Sequence, residues 1–239
     1  MKTIEDIKTF ISNNKYRFYY GFVRLVVRAG FRVKVVKVSP YENRVIKPKH
    51  FKKEFKTDKG VLLVANHTHR IDPGFIMYPY SKNKNKITVP AKVSLFKNKT
   101  LGNFLKTCGG IPVIKKADEL TEKDTSSFNS QGTRQIIRTF KNKDIVLIFP
   151  EGTRNKDGKV TDDCKSIKRL SKTKDKDKEL IDVIPINIQY HRDKFRIRTR
   201  VMVYIKETDP DDRDITIENI KNVINELPEQ YEGNKTLVK

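Results

Sequence analysis

Two side chains five residues apart have the types that proton transfer from a hydroxyl group requires. His67 and Asp72 lie in the stretch NHTHRID (66–72), which follows a short apolar run. A carboxylate bonded to one imidazole nitrogen leaves the other nitrogen free to accept a proton, as a general base must. A chain reversal between the two residues would bring them together. Alternatively, His67 is an ordinary loop histidine with its hydrogen bonds satisfied, and Asp72 is only a helix N-cap. Spacing alone leaves the catalytic and the structural interpretation open.

Two further groups of polar residues follow apolar runs. The stretch PEGTR (150–154) follows DIVLIF, and Lys115 and Lys116 follow GGIPVI. Glycine lets the backbone approach a ligand closely, and arginine presents a fork of donors suited to phosphate, which lysines would supplement as point charges. A turn stabilised by a Glu–Arg pair and solvent-facing lysines are the alternatives. We expect no metal, because nothing at suitable spacing completes a site around the H-x-H at 67–69.

Strand and helix patterns alternate along the chain. Short apolar or alternating runs predict strands at 31–38, 60–65, 87–89, 111–114, 144–149, 183–188 and 195–205. Helices are predicted at 72–78, 95–107, 133–140 and 216–227. The alternation predicts an α/β fold with a mostly parallel central sheet flanked by helices. Ligands of such sheets bind beyond the carboxyl ends of the strands, where the polar groups described above are found.

Residues 17–32, RFYYGFVRLVVRAGFR, predict an amphipathic helix. At 100° per residue, three arginines fall within about 40° of one another and apolar side chains fill the opposite arc. No uncharged apolar run approaches the ~20 residues that span a bilayer. Such a helix would lie in a membrane interface or pack on its own domain, and the pattern leaves both open.

The chain is strongly basic. It has 51 Lys+Arg against 29 Asp+Glu, a net charge of +22, and residues 1–60 alone carry 16 against 5, or +11. This excess of positive charge has four explanations: binding to nucleic acid, to an anionic membrane or to phosphorylated substrates, and compositional drift. A basic nucleic-acid-binding protein is the alternative from another functional class, but without a recognisable nucleic-acid-reading motif we expect no nucleic-acid partner.

Composition also limits the protein class. An apolar content of 36% excludes a wholly disordered chain. Two cysteines are too few for a disulfide framework, and no secretory signal precedes them, so we expect a reducing compartment.

Together these motifs resemble those of the glycerolipid acyltransferases of the 1-acylglycerol-3-phosphate acyltransferase type. NHTHRID contains their H-x4-D signature, and FPEGTR (149–154) matches their second signature. GGIPVIKK (109–116) lies where that family has a glycine-led block ending in arginine, and VIPINI (183–188) resembles the fourth, apolar block. The resemblance covers about residues 61–204.

The resemblance implies a reaction. His67 would deprotonate the free hydroxyl of 1-acylglycerol 3-phosphate, and Asp72 would orient His67 and stabilise its imidazolium. The hydroxyl would attack a fatty acyl thioester, of acyl-CoA or acyl-carrier protein, and give phosphatidic acid in phospholipid biosynthesis. Glycerol 3-phosphate or another lysophospholipid is the alternative acceptor. No cofactor or metal is implied.

The resemblance also implies an acceptor pocket. Its substrate-binding residues would be Lys115, Lys116, Glu151, Gly152, Thr153 and Arg154, with Arg154 near the phosphate. Lys115 stands where the family usually has arginine, so the charge is kept and the bidentate fork is lost.

An enzyme that acts on lipids must reach them, which favours membrane contact for residues 17–32. The predicted membrane-binding residues are Arg17, Phe18, Phe22, Arg24, Leu25, Val26 and Arg28. We therefore expect a peripheral or monotopic protein on an anionic phospholipid surface, at the cytoplasmic face of the membrane. Residues 1–38 would form a membrane-association segment with the first strand, and residues 39–239 the acyltransferase domain.

Overall fold

A mixed eight-stranded sheet lies at the centre of the fold. The computed structural model describes residues 21–23, 25, 27, 29–38, 44–46, 59–80, 87–114, 122–161, 174–175, 178–179, 181–191, 199–206 and 219–237. The sheet has the strand order β2-β1-β10-β9-β3-β6-β4-β5. Its members are β1 (Phe31–Val38), β2 (Arg44–Ile46), β3 (Gly60–Ala65), β4 (Ile87–Lys92), β5 (Gly110–Val113), β6 (Ile145–Ile148), β9 (Ile181–His191) and β10 (Thr199–Lys206). Two short strands, β7 (Lys174–Asp175) and β8 (Lys178–Glu179), pair with each other.

Five neighbouring strands, β9-β3-β6-β4-β5, run parallel. β10 is antiparallel to β9, and β1 is parallel to β10. The carboxyl ends of β3, β6 and β9 therefore meet at one edge of the sheet, together with the amino ends of β1 and β10. All six residues of β3 are buried, as expected for a parallel strand covered on both faces.

Helices cover both faces of the sheet. They are α1 (Asp72–Tyr80), α2 (Lys99–Thr107), α3 (Glu122–Lys141) and α4 (Ile220–Leu237), with a 3-10 turn at Val93–Phe96. Phe75 and Ile76 of α1 pack on one face. On the other face, Phe140 of α3 and Ile224 of α4 share a core cluster. The described residues of 21–30 are also helical, and β1 follows directly.

The predicted fold class is confirmed, and the differences have local causes. α3 begins at Glu122 rather than 133, because its first half, EKDTSSFNSQG, has no apolar period from which a helix could be predicted. β2 forms in a polar stretch where no strand is predicted, because backbone pairing with β1 needs no apolar pattern. β1, which the expected boundary at residue 38 places in the N-terminal segment, is a strand of the main sheet.

Candidate active site

The structure brings His67 and Asp72 together at the carboxyl end of β3. His67 is the second residue after the end of β3, and Asp72 is the first residue of α1. The tight reversal between them places Asp72 Oδ2 2.8 Å from His67 Nδ1. Because a carboxylate only accepts hydrogen bonds, Nδ1 carries a proton and the neutral ring has its lone pair on Nε2. The imidazole thus has the tautomer of a general base.

Asp72 is a fully buried carboxylate with several donors around it. Its exposed fraction is 0%, and Oδ2 also accepts hydrogen bonds from the backbone N–H groups of Thr68 and His69, each at 2.7 Å. A buried charge is tolerated only where hydrogen bonds replace the lost water. The backbone of the loop therefore stabilises the carboxylate, and the carboxylate fixes the loop.

Tyr190, on β9, holds the other oxygen of this carboxylate. Its hydroxyl donates to Asp72 Oδ1, and its ring packs against His69 and Phe75. Burial, then the charge of Asp72 and the hydrogen bond to it, raise the pKa of Tyr190 well above its usual value. The phenol therefore remains a donor across the working pH range. No role for Tyr190 is predicted from the sequence, although its position in β9 places it on the same face as Ile186 and Ile188.

The 149–154 segment lies against His67. The ring of Phe149, directly after β6, stacks on the imidazole with centroids 4.2 Å apart. The backbone N–H of Asn155 donates to the carbonyl of His67 at 2.7 Å. His67 is thus held between its own loop and the second motif, and 18% of its side chain remains exposed.

The residues of the second motif that are predicted to bind the acceptor substrate form a turn beside His67. Gly152 has φ +56°, a conformation that favours glycine, and its N–H donates to the carbonyl of Phe149. Glu151 Oε1 accepts hydrogen bonds from the N–H and hydroxyl of Thr161. Its Oε2 is buried and has no hydrogen-bond partner within the described part of the chain. Gly152, Thr153 and Arg154 are exposed.

Lys115 and Lys116 lie outside the described residues, but the strand that leads to them is well anchored. Ile114, directly before Lys115, exchanges two hydrogen bonds with the side-chain amide of Asn129 on α3, at 2.9 and 2.8 Å. Gly109 before β5 has φ +92°, and a Cβ there would lie 2.2 Å from the carbonyl oxygen of Ile87. The close approach of β5 to β4 explains the leading glycines of GGIPVI.

Asn66 joins three segments of the site. Its Oδ1 accepts from the N–H of Ile188 at 2.7 Å, and its Nδ2 donates to the carbonyls of Ile188 and Gly158 at 3.0 and 2.7 Å. The end of β3, the middle of β9 and the loop after the second motif are therefore tied to one amide. No role for Asn66 is predicted from the sequence.

The predicted apolar face of the N-terminal helix has a buried part and an exposed part. Val27 is fully buried and Val23 packs against the core beside Gly74 of α1, whereas Phe22 and Leu25 are 52% and 65% exposed. The other residues predicted to bind the membrane lie outside the described residues: Arg17, Phe18, Arg24, Val26 and Arg28.

The described residues lack two other features. They contain no group of three His, Cys, Asp or Glu side chains that could hold a metal ion. Within the same ranges, no helix is both long enough and apolar enough to cross a bilayer.

Comparisons with known proteins find a matching family and a similar fold. The family model described as Acyltransferase matches residues 47–189, a range that includes His67, Asp72 and the second motif. The chain is similar in fold to the crystal structure of the 1-acyl-sn-glycerophosphate (LPA) acyltransferase PlsC from Thermotoga maritima. The TM-score is 0.56 at 20% identity, and the match covers 98% of this chain and 84% of that one. Comparison with curated proteins finds no match.

The contacts of Asn66 predict its contribution to stability. Asn66→Ala leaves two carbonyls and one N–H of the interior without a side-chain partner. We expect the free energy of unfolding to fall by about 3 kcal/mol, since each unsatisfied buried group costs about 1–3 kcal/mol. Urea unfolding followed by circular dichroism measures this. The exposed Asn142→Ala is the matched control and should change stability by less than about 0.5 kcal/mol. Equal effects of the two substitutions would contradict the role of Asn66.

Proposed function

The chain belongs to the acyltransferase family, and we propose that it transfers a fatty acyl group to the free hydroxyl of 1-acylglycerol 3-phosphate, which yields phosphatidate. The acyl donor is a thioester, acyl-CoA or acyl-carrier protein. The proposal rests above all on the hydrogen bond between His67 and Asp72, because it leaves Nε2 of a partly exposed imidazole as a proton acceptor. The fold shared with an acyltransferase that acts on this acceptor supports it.

The chemistry follows from that tautomer. Nε2 takes the proton of the acceptor hydroxyl as its oxygen attacks the thioester carbonyl carbon. The imidazolium that forms is stabilised by Asp72. When the tetrahedral intermediate collapses, the carbon–sulfur bond breaks and the leaving thiolate receives the proton from Nε2. The enzyme returns to its starting state without an acyl-enzyme, because the hydroxyl attacks the donor directly.

The acceptor phosphate would bind at the turn of the second motif. Arg154 is exposed and makes no hydrogen bond or ion pair with any part of the chain that the structure describes, so its guanidinium is available to a phosphate. Lys115 and Lys116 would add charge. The unpartnered Oε2 of Glu151 is a point where a ligand hydroxyl could donate, since buried polar atoms are nearly always paired.

Membrane contact through the N-terminal helix is part of the proposal. Val23 and Val27 attach the helix to the core, whereas Phe22 and Leu25 are large apolar side chains that remain mostly exposed. Insertion of such side chains into a membrane interface would contribute about 1.5–3 kcal/mol each. Arg17, Arg24 and Arg28 would each add about 1 kcal/mol on an anionic leaflet. The protein would then lie peripherally on the cytoplasmic face of the membrane.

The general-base role predicts the effect of removing His67. We expect His67→Ala to lower acyl transfer at least about 100-fold, because general base catalysis contributes 10²–10⁴-fold. Transfer of labelled acyl groups to lysophosphatidate in detergent measures it. His69→Ala is the matched control, since His69 is exposed, and should retain most of the activity. Full activity in a folded His67→Ala variant would refute the mechanism.

The contact between Tyr190 and Asp72 predicts a smaller loss. Tyr190→Phe removes one donor to the carboxylate, so we expect kcat to fall about tenfold, the usual effect of losing a hydrogen bond to a charged group. The KM for either substrate should hardly change. Because the pKa of Tyr190 is raised, its phenol is protonated throughout, and the ratio of wild-type to variant kcat should stay constant between about pH 6 and 9. A ratio that varied with pH would argue against a permanent donor.

The exposed part of the apolar face of the N-terminal helix predicts which substitutions release the protein from membranes. The double variant Phe22→Ser, Leu25→Ser should bind vesicles containing anionic lipid at least about tenfold more weakly, because two inserted apolar side chains are lost. Deleting residues 1–30 is a poorer test, since it also removes the buried Val27. Vesicle sedimentation measures binding. Val45→Ser, which changes an exposed valine of β2, is the control, and unchanged binding of the double variant would refute the assignment.

A further inference from the structure

A second concave site lies on the face of the sheet opposite α1. Its volume is about 240 Å³, and its lining residues are Lys34, His191, Arg200, Met202, Tyr204 and Glu232. Met202 and Tyr204 form a buried floor and belong to the core cluster that includes Leu227 and Tyr231 of α4. The cavity therefore lies between the strands β1, β10 and β9 and the second half of α4. We call it the α4-side pocket.

Three basic side chains lie in one row beside the α4-side pocket. Arg32 of β1 pairs in register with Arg200 of β10, and Arg200 pairs with His191 of β9. Lys34 is on the same side of β1 as Arg32, because side chains alternate along a strand. Like charges directly opposite each other on neighbouring strands are destabilising. The pairing of Arg32 with Arg200 thus concentrates positive charge at an energetic cost.

The surrounding residues offset little of this charge. Arg32, Arg200 and His191 make no hydrogen bond or ion pair with the parts of the chain that the structure describes. Lys34 donates to the hydroxyl of Tyr231 at 3.2 Å. Glu232 is the only carboxylate among the described lining residues. Among the described residues, the three basic side chains of Arg32, Lys34 and Arg200 therefore lie near one carboxylate.

We propose that the α4-side pocket binds a phosphate group. The arginine fork matches phosphate oxygens, and Lys34 adds a point charge. Burial, then the nearby carboxylate of Glu232 and phenol of Tyr231, raise the pKa of Tyr204 to about 12, so its hydroxyl is a neutral donor at the floor. At about 240 Å³ the pocket is smaller than the 300–1,000 Å³ typical of sites for larger ligands, and its size suits a phosphate ester.

The position of the pocket relates it to the candidate active site. His191 follows Tyr190, which contacts Asp72, and β9 lies beside β3, which leads to His67. The phosphate would lie at the same edge of the sheet as His67, on its other face. The proposed phosphate site does not depend on the proposed acyl transfer. The source of the bound phosphate does rest on that function: it is either the nucleotide part of coenzyme A in the donor or a lipid headgroup.

Phosphate binding is tested on the full chain by calorimetry, with inorganic phosphate as the first probe and chloride at equal ionic strength as the blank. We expect Arg200→Ala to weaken phosphate binding at least about tenfold, as loss of a charge-assisted hydrogen bond does. Arg200→Lys should lie between wild type and Arg200→Ala. Arg134→Ala is the matched control, because it removes the same charge from an exposed site on α3 and should bind phosphate as wild type does.

Thermal melting shows whether each variant is folded, and Arg32→Ala, at another exposed position of the row, provides a second variant that should also bind phosphate more weakly. No phosphate binding by the wild-type chain would overturn the proposal. Equal weakening by Arg134→Ala and Arg200→Ala would also overturn it, because general basicity would then be the cause.

Two further probes identify the source of the phosphate. If it is the nucleotide of the donor, adenosine 3′,5′-bisphosphate binds more tightly than inorganic phosphate, and Arg200→Ala raises the KM for acyl-CoA with kcat unchanged. If it is a lipid headgroup, Arg200→Ala weakens binding to phosphatidate-containing vesicles and leaves the KM for acyl-CoA unchanged. We expect His67→Ala to lose acyl transfer and to keep phosphate binding. The proposed function and the proposed phosphate site can therefore be refuted separately.

Discussion

The buried carboxylate of Asp72 is the group on which the arrangement of the site depends. Its desolvation would cost several kcal/mol if it were unpaired, and four donors, three from the loop after β3 and one from β9, offset this cost. They are the His67 ring, the N–H groups of Thr68 and His69, and the Tyr190 hydroxyl. Since the loop, α1 and β9 must converge for all four bonds to form, the same bonds that stabilise the charge also fix the imidazole tautomer.

The parallel pairing of β3 with β6 and β9 makes this convergence possible. It brings His67, Phe149 and Tyr190 to one edge, and the amide of Asn66 then bonds both the β9 backbone and the loop after the second motif. One asparagine thus sets the position of the segments on either side of His67. The stack of Phe149 on the imidazole covers one ring face, so a substrate must approach from the exposed remainder.

The sequence predicts most of this arrangement where the physical signal is local. The run GVLLVA predicts a fully buried strand, and the five-residue spacing allows a chain reversal to bring His67 and Asp72 together. Tyr190 and Asn66 could not be assigned, because their partners are 118 and up to 122 residues away and depend on which strands are neighbours. The antiparallel β10 and the short β2 likewise depend on pairing rather than on residue pattern.

The N-terminal helix shows how packing on the domain and the proposed membrane contact are compatible. An apolar arc wide enough for both purposes can be shared, and Val23 and Val27 face α1 while Phe22 and Leu25 do not. Gly74, beside which these valines lie, is two residues from Asp72, so α1 links the helix to the proposed catalytic pair. On the proposed function, a lipid surface in contact with Phe22 and Leu25 would therefore lie close to His67. An acceptor could then keep its acyl chain in the membrane while its hydroxyl reaches Nε2.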